Sequence, residues 1–450
     1  MNRTIQSIRM AGLAALVAGA AGCHGLLDVE SPGQIADADL NTPAAVPGIV
    51  AGMANRLSNA MATIGGNMVI YPALVSGEMF HGGSYTWDED PIGYTTPDDN
   101  YIGGAWGAIQ VARWVAEAGL VRMYNDSVLG PDEFVKNVNV SRAYMLAALA
   151  NRTLGEIFCT AVIDGGDAQS SQVYFDRGLN QADSAIIIGT AAGSGAANYV
   201  KGAYGVRASL KAWKGDWTGA ASDAAQVTPA TFILNAALQT PSPDNAVWFE
   251  THSRNEYTVY STFLSDSAYA VKENMDGPAW RSTHINDARA KWKILKNADG
   301  TQKVGQNGYT PAYQQNKYDV QTEPIPMVKG TEMLVLRAEA ALRQASPDIA
   351  GAYTLLNQAR TAKTMASLAV APDLATAWKD LHYERAATTW LEGRHLWDAS
   401  RWYNESAASP SHSEAMAGRD QCLPVSLSEI NANLNLGSYR ATLVHPFMHQ

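Results

Sequence analysis

The sequence predicts a mainly α-helical protein in which tetratricopeptide-like hairpins pack against a loop-rich half. Three observations carry this. Apolar residues recur at helical spacing in several long stretches. Two of those stretches turn back, through Gly215-Asp216 and Ser346-Pro347-Asp348, into a second amphipathic run. Strand-like alternation is scarce. No Ser/Gly or Pro linker and no charge block divides the interior, so residues 23–450 read as a single domain despite their length.

Residues 1–22 have the three parts of an export signal: Arg3 and Arg9, an apolar stretch of about a dozen residues, and Ala20-Ala21-Gly22 before Cys23. The apolar stretch is too short to cross a bilayer. Small residues followed at once by cysteine resemble the bacterial lipoprotein box, which implies that Cys23 is acylated and becomes the mature N-terminus. A second acyl chain makes such an anchor hold, since each buried methylene adds about 0.8 kcal/mol and a single chain binds reversibly. Removing residues 1–22 takes away two arginines and no acid, moving the formal charge from -10 to -12. That acid excess argues against a nucleic-acid partner. Two cysteines remain, Cys159 and Cys422, and in an oxidising compartment they are expected to pair.

The stretch 135–157 is helical through Arg142, Ala143, Leu146 and Ala150, ending near Gly155. The stretch 199–214 puts Ala203, Val206, Leu210 and Trp213 on one face, stops at Gly215 and restarts at Trp217 towards Val227. Between them, the Gly/Ala-rich 189–197 reads as a loop. From Glu332, Met333 to Leu336 with Ala338, Ala340, Ala341 and Leu342 is apolar nearly all round, so that helix must be buried on several sides. Ser346-Pro347-Asp348 supplies an N-cap, a first-turn proline and an acid for the next helix, whose stripe is Ile349, Ala352, Tyr353, Leu356 and Ala359. The hairpins thus fall at about 135–227 and 331–402.

The fourth stretch carries a recognisable signature. Glu384-Arg385, Glu392-Gly393-Arg394-His395, Trp397-Asp398 and Arg401-Trp402 resemble the C-terminal signature of SusD/RagB-like outer-membrane nutrient-binding lipoproteins. Ile325-Pro326-Met327-Val328 leading into Leu336-Arg337-Ala338-Glu339-Ala340, then Leu356-Asn357-Gln358-Ala359-Arg360, and Leu423-Pro424-Val425 through Glu429-Ile430-Asn431, are similar to that family's other elements in order. The resemblance implies a SusD-like fold, a lipid-anchored site on the outer face of the outer membrane, and a TonB-dependent outer-membrane transporter as partner. It also implies reversible capture of an oligosaccharide or peptide, with no bond made or broken. On helical spacing the signature itself is structural: Arg394 with Asp398 and Asp398 with Arg401 can pair along one face, while Trp390, Trp397 and Trp402 supply apolar area.

Aromatics that helical periodicity does not explain gather in 81–101: Tyr85, Trp87, Tyr94 and Tyr101, among Gly82, Gly83, Pro91, Gly93 and Pro97. Asp88, Glu89, Asp90, Asp98, Asp99 and Asn100 stand between them. Sugar rings present flat C–H faces to aromatic planes and hydroxyls to carboxylates and amides, so this composition suits a glycan; an Ω-type loop anchored by its own aromatics has the same composition. The resemblance makes Trp87 and Asn100 the first candidate ligand residues, with Tyr85 and Tyr101 beside them and Trp280 with Arg281 next. The loop acids are also of the kind that hold an accessory calcium ion, although EF-hand spacing is absent. No G-x-S-x-G elbow, P-loop, dinucleotide fingerprint or H-E-x-x-H occurs, the histidines are dispersed, and a loop cluster of acids does not define a glycosidase pair. No cofactor and no catalysis are therefore expected, with a surface glycoside hydrolase and a tetratricopeptide-type protein-binding scaffold as the alternative readings.

Overall fold

A computed structural model describes residues 37–84, 93–98, 100–236, 244–260, 287–405, 416, 418–437 and 439, with the side chains of Asn100 and Tyr101 undescribed. The signal and Cys23 lie outside these residues. The chain builds helix α1 (Val46–Ala62), strand β1 (Phe80–His81) and helix α2 (Asn100–Tyr124). Helix α3 (Val138–Ile157), strands β2 (Thr160–Ala161) and β3 (Gln169–Ser170), and helices α4 (Gln172–Ala192), α5 (Ala197–Trp213) and α6 (Trp217–Ala224) follow. Next come strands β4 (Ile233–Ala236), β5 (Tyr257–Thr258), β6 (Trp292–Ile294), β7 (Tyr313–Gln315) and β8 (Ile325–Lys329). Helices α7 (Gly330–Leu342), α8 (Ile349–Thr361), α9 (Leu374–Thr388) and α10 (His395–Asn404) close the helical half. The protein is mainly helical, and among the described residues its strands form four two-stranded antiparallel ladders, β1–β5, β2–β3, β4–β8 and β6–β7.

Local chemistry sets several helix ends. The Asn137 side chain accepts from Asn139 N at 2.9 Å and opens α3. Gly215, at φ 85°, makes the turn after α5, and Asp216 then caps α6 by accepting from Gly219 N at 2.8 Å. Asp348, expected as a first-turn acid behind a Ser346 cap, is itself the N-cap of α8, accepting from Gly351 N at 2.8 Å, so Ser346 and Pro347 lie before the helix; the shorter-range cap wins because its carboxylate reaches the first free N–H groups directly. The tetratricopeptide-like character is visible in the stacking of α3 on α4, α4 on α5 and α5 on α6, and again in α7 against α8. Helix α3 is buried along almost its whole length, because Ala143, Ala147, Ala148 and Ala150 let α1, α2, α4 and α5 approach it closely. Helix α7 is apolar all round because it joins two cores. Met333 and Leu336 face the main one, and Leu334, Val335 and Ala338 face a satellite formed with Tyr353, Leu356, Trp378 and Leu381.

Three further expectations need correction. The 189–197 stretch is not one loop: α4 runs to Ala192, and a short 3-10 turn at Ser194–Ala196 leads directly into α5, since alanine is the strongest helix former. Asn100 and Tyr101 begin α2 and do not belong to a loop. Arg394 does not pair with Asp398; it reaches Glu332 (2.9 Å) and Glu156 (3.0 Å), while Asp398 takes Arg385 (2.7 Å) and Arg401 (2.9 Å). Acids on α3 and α7 compete for Arg394 once the helices are stacked, and a reading along one helix cannot see them.

These groups form a buried polar layer. Arg152, Arg385, Arg394 and Arg401 stand against Glu156, Glu332, Glu339 and Asp398, all buried, with Arg401 bidentate on Glu339 at 2.5 and 2.8 Å. Burial alone would raise the Glu332 carboxyl, but Arg394, Arg385 and Arg152 outweigh it and bring it down to about 2; the same balance holds Asp398 below its ordinary value. His382 and His395 are pushed down by burial, to about 3 and about 4, so both are neutral packing groups at pH 7. Trp390 and Trp402 are fully buried, and Trp397 packs edge-on against Phe175. Cys159 and Cys422 form a disulfide with Cα atoms 5.1 Å apart, beside a parallel bridge of Phe158 to Leu423.

Candidate functional site

The site grows from the β1–β5 ladder. Phe80 pairs with Thr258 and His81 with Tyr257, and Gly82 N extends the ladder by donating to Glu256 O at 2.6 Å. Asn307 N donates to Gly82 O at 3.0 Å, and Gly305 lies so close to the Gly82 backbone that a Cβ there would collide with it. Thr258 stitches β5 to β7, because its hydroxyl oxygen accepts from Tyr313 N (2.8 Å) and Tyr260 N (3.1 Å), while Val259 N donates to Tyr313 O (3.0 Å). The result gathers three half-buried rings. Trp292 on β6 stacks on Tyr313 of β7 with centroids 5.2 Å apart and planes 9° from parallel, and Tyr260 meets Tyr313 edge-on at 5.2 Å. Each ring keeps part of its surface exposed.

A turn of unusual backbone packs against β5 and β7. Phe249–Arg254 is a π-helical turn, ending at Asn255 in the left-handed region at φ 54°. It places Glu250 and Glu256 around Arg254. Burial pushes the Glu250 carboxyl up to about 8, only partly offset by Arg254 and reinforced by Glu256. Trp248 stacks on His252 at 6.1 Å, and burial lowers the His252 pKa.

The signature residues hold this site from beneath. The turn Trp390–Gly393 contains two left-handed residues, Leu391 (φ 54°) and Gly393 (φ 72°), and its groups tie three strands together. Leu391 N donates to Glu78 just before β1 (3.0 Å), and Tyr318 OH after β7 donates to Leu391 O (2.9 Å). Glu392 takes both Lys317 and Lys329, on β8, at 2.6 Å. Glu384 accepts Arg289 (2.6 Å) and Arg360 (2.5 Å), and Arg289 in turn holds Asp287 (2.6 Å), which also accepts from Tyr383 OH (2.7 Å). The segment resuming at 287 is thereby clamped onto α9.

Of the sequence-stated ligand candidates, Tyr85, Trp87, Trp280 and Arg281 lie outside the described residues, and Asn100 and Tyr101 are placed only as the start of α2. The described flanks of those segments belong to the site above: Ser84 follows the β1–β5 ladder, Tyr260 is one of its rings, and Asp287 is clamped beside β6. The rings Tyr260, Trp292 and Tyr313 were missed. The available signal was the Lys291-Trp292-Lys293-Ile294 alternation, a short exposed strand with a tryptophan on one face. Among the described residues, no group of three or more His, Cys, Asp or Glu side chains is arranged to hold a metal ion, and no helix is long and apolar enough to cross a membrane.

Residues 247–436 match the SusD family. No curated protein matches the chain. Among solved structures, a SusD homolog from Bacteroides thetaiotaomicron superposes with a TM-score of 0.66 at 14% identity, covering 88% of this chain and 96% of that one. A chitin-binding SusD homolog from Flavobacterium johnsoniae gives 0.64 at 13% identity over 89% and 96% of the two chains. A laminarin-binding SusD-like protein gives 0.57 at 13% identity over 87% and 98%. The chain thus carries the SusD family's sequence pattern over residues 247–436 and a SusD-like fold over nearly nine-tenths of its length.

Proposed function

We propose that this chain is a lipid-anchored protein of the outer cell surface that binds an oligosaccharide reversibly and passes it to a TonB-dependent outer-membrane transporter. The observation that carries the binding reading is the Tyr260–Tyr313–Trp292 cluster, half-exposed and rigidly backed, at the stems of the two aromatic-bearing segments. Aromatic faces release water readily and stack on the axial C–H groups of a pyranose, and rings locked by strand pairing lose little entropy when they do so. The chitin- and laminarin-binding relatives support a glycan over a peptide. The lipoprotein-like segment around Cys23 supports the surface anchor, and the family supports the transporter partner. In this reading the protein's part is capture without bond cleavage, in keeping with the binding that the names of the chitin- and laminarin-binding relatives record.

Calorimetry with laminari- and chito-oligosaccharides tests this on the mature protein. Binding of at least one of them is expected, with Trp292→Ala weakening it by about 2 kcal/mol, the size of a stacking hot spot. Unchanged affinity in Trp292→Ala removes the platform, and release of shorter oligosaccharides would make the protein a hydrolase. Co-purification with a large β-barrel from solubilised outer membrane tests the transporter.

A further inference from the structure

A cleft of about 270 Å³ opens beside the end of the β6–β7 ladder. That is far above the ~10–15 Å³ one water requires by this measure. Its walls carry Arg289, Lys291, Lys317, Lys329 and Lys363, with Glu392 the one carboxylate among the lining side chains. This is an unusual concentration in a chain of net charge -10. The strand segment 287–303 that forms one wall likewise holds five cations against two acids.

The charges in the cleft are not balanced internally. Arg289 is committed to Asp287 and Glu384. Lys317 and Lys329 share a single oxygen, Glu392 Oε1, each at 2.6 Å, and each also donates to one carbonyl, of Trp390 and Thr388 respectively. An ammonium has three N–H donors. The third donor of each therefore has no partner among the described residues, although Lys329 is buried. Burial pushes Lys329 down to about 8, with shared Glu392 only partly restoring it. Lys291 and Lys363 stand exposed at the rim and have no carboxylate partner among the described residues. Two ammonium groups on one carboxylate oxygen, with two further cations above them, make a receptor short of about one negative charge.

The cleft also adjoins the aromatic platform. Asn316 N donates to Lys291 O at 2.7 Å, one step beyond the Trp292–Gln315 pair. We propose that this cleft is an anion-recognition subsite that takes the carboxylate of an acidic saccharide whose neighbouring ring lies on Trp292. This rests on the platform reading and narrows its ligand to uronate-bearing glycans.

Titration calorimetry of the mature protein with trigalacturonate and with neutral galactotriose, at 50 and 300 mM NaCl, tests it. The acidic trimer is expected to bind at least tenfold more tightly at low salt, and the advantage should shrink at high salt as the rim charges are screened. In the Lys291→Gln/Lys363→Gln double variant, which changes only exposed side chains, that advantage should fall five- to tenfold, with affinity for the neutral trimer unchanged. Equal affinity for the two trimers overturns the proposal, as does an acidic preference that the double variant keeps. If neither trimer binds, the subsite is refuted, while the platform is still judged separately by laminari- and chito-oligosaccharides.

Discussion

Replacing Asp398 by Asn should destabilise the protein by 3–5 kcal/mol, the usual cost of removing one partner from a buried ionic array. Asp398 is 1% exposed and accepts Arg385 Nε at 2.7 Å and Arg401 at 2.9 and 3.0 Å. In an effective dielectric of about 20, each of the two contacts is worth roughly 4 kcal/mol, and the asparagine dipole recovers a part of both. What remains is an uncompensated guanidinium in a layer that otherwise balances four cations with four carboxylates. At about 2.1 cal/mol/K per residue, a chain of this size converts the loss into a Tm lower by roughly 3–6 °C. Urea unfolding followed by far-UV circular dichroism gives the free energy directly, provided the slope m is unchanged. The double variant Asp398→Leu/Arg401→Met, which deletes the charges as a pair, should cost less than the sum of the two singles. A single variant within 1 kcal/mol of wild type would refute the reasoning, since the layer would then contribute nothing to holding α7, α9 and α10 together.

Three further outcomes follow from the same structure. Glu78 is fully buried, accepts Leu391 N and is pushed by burial up to about 8, so its folded form binds a proton more tightly than the unfolded chain does. Its stabilising contribution is complete below about pH 4.5 and is lost as pH rises through 8, on the order of 4 kcal/mol; Glu78→Gln should flatten the fall in Tm over that window. Glu332 acts oppositely: its contribution is present above about pH 4.5 and lost as pH falls through 2, so Glu332→Gln should blunt acid unfolding measured from pH 5 to 2 while lowering stability at pH 7. The Cys159–Cys422 bridge closes 263 residues, which in the chain-entropy model stabilises by at most on the order of 5 kcal/mol. The denatured mature chain should show no free thiol at these positions without reductant, and Cys159→Ser/Cys422→Ser should lower the urea midpoint.

Much of the helical half was readable in advance because its signals are local. Asp216 and Asp348 each accept a backbone N–H three residues ahead, so the turns they close are local, although the reading along the chain placed the second cap two residues early, at Ser346. The all-round apolar character of α7 likewise required burial on several sides, and it joins two cores. The errors came where neighbours in space outcompete neighbours in sequence. Arg394 was assigned to Asp398 by helical spacing, yet Glu156 on α3 and Glu332 on α7 hold it. The platform was less legible still, because Trp292 and Tyr313 sit on two short strands and Tyr260 just beyond a third, and they become a surface only through the β6–β7 register and the Thr258 hydroxyl.

From its residues alone this chain determined its helical class, its tight turns, and a C-terminal signature that matches the SusD family model, since each depends on side chains within a turn or two of one another. Only the tertiary structure decided which carboxylate each buried arginine meets, that the Trp390–Gly393 turn binds three strands from below, and that cations far apart in the chain share one cleft. Charges and rings choose partners by distance in space, and that distance exists only once the helices have stacked.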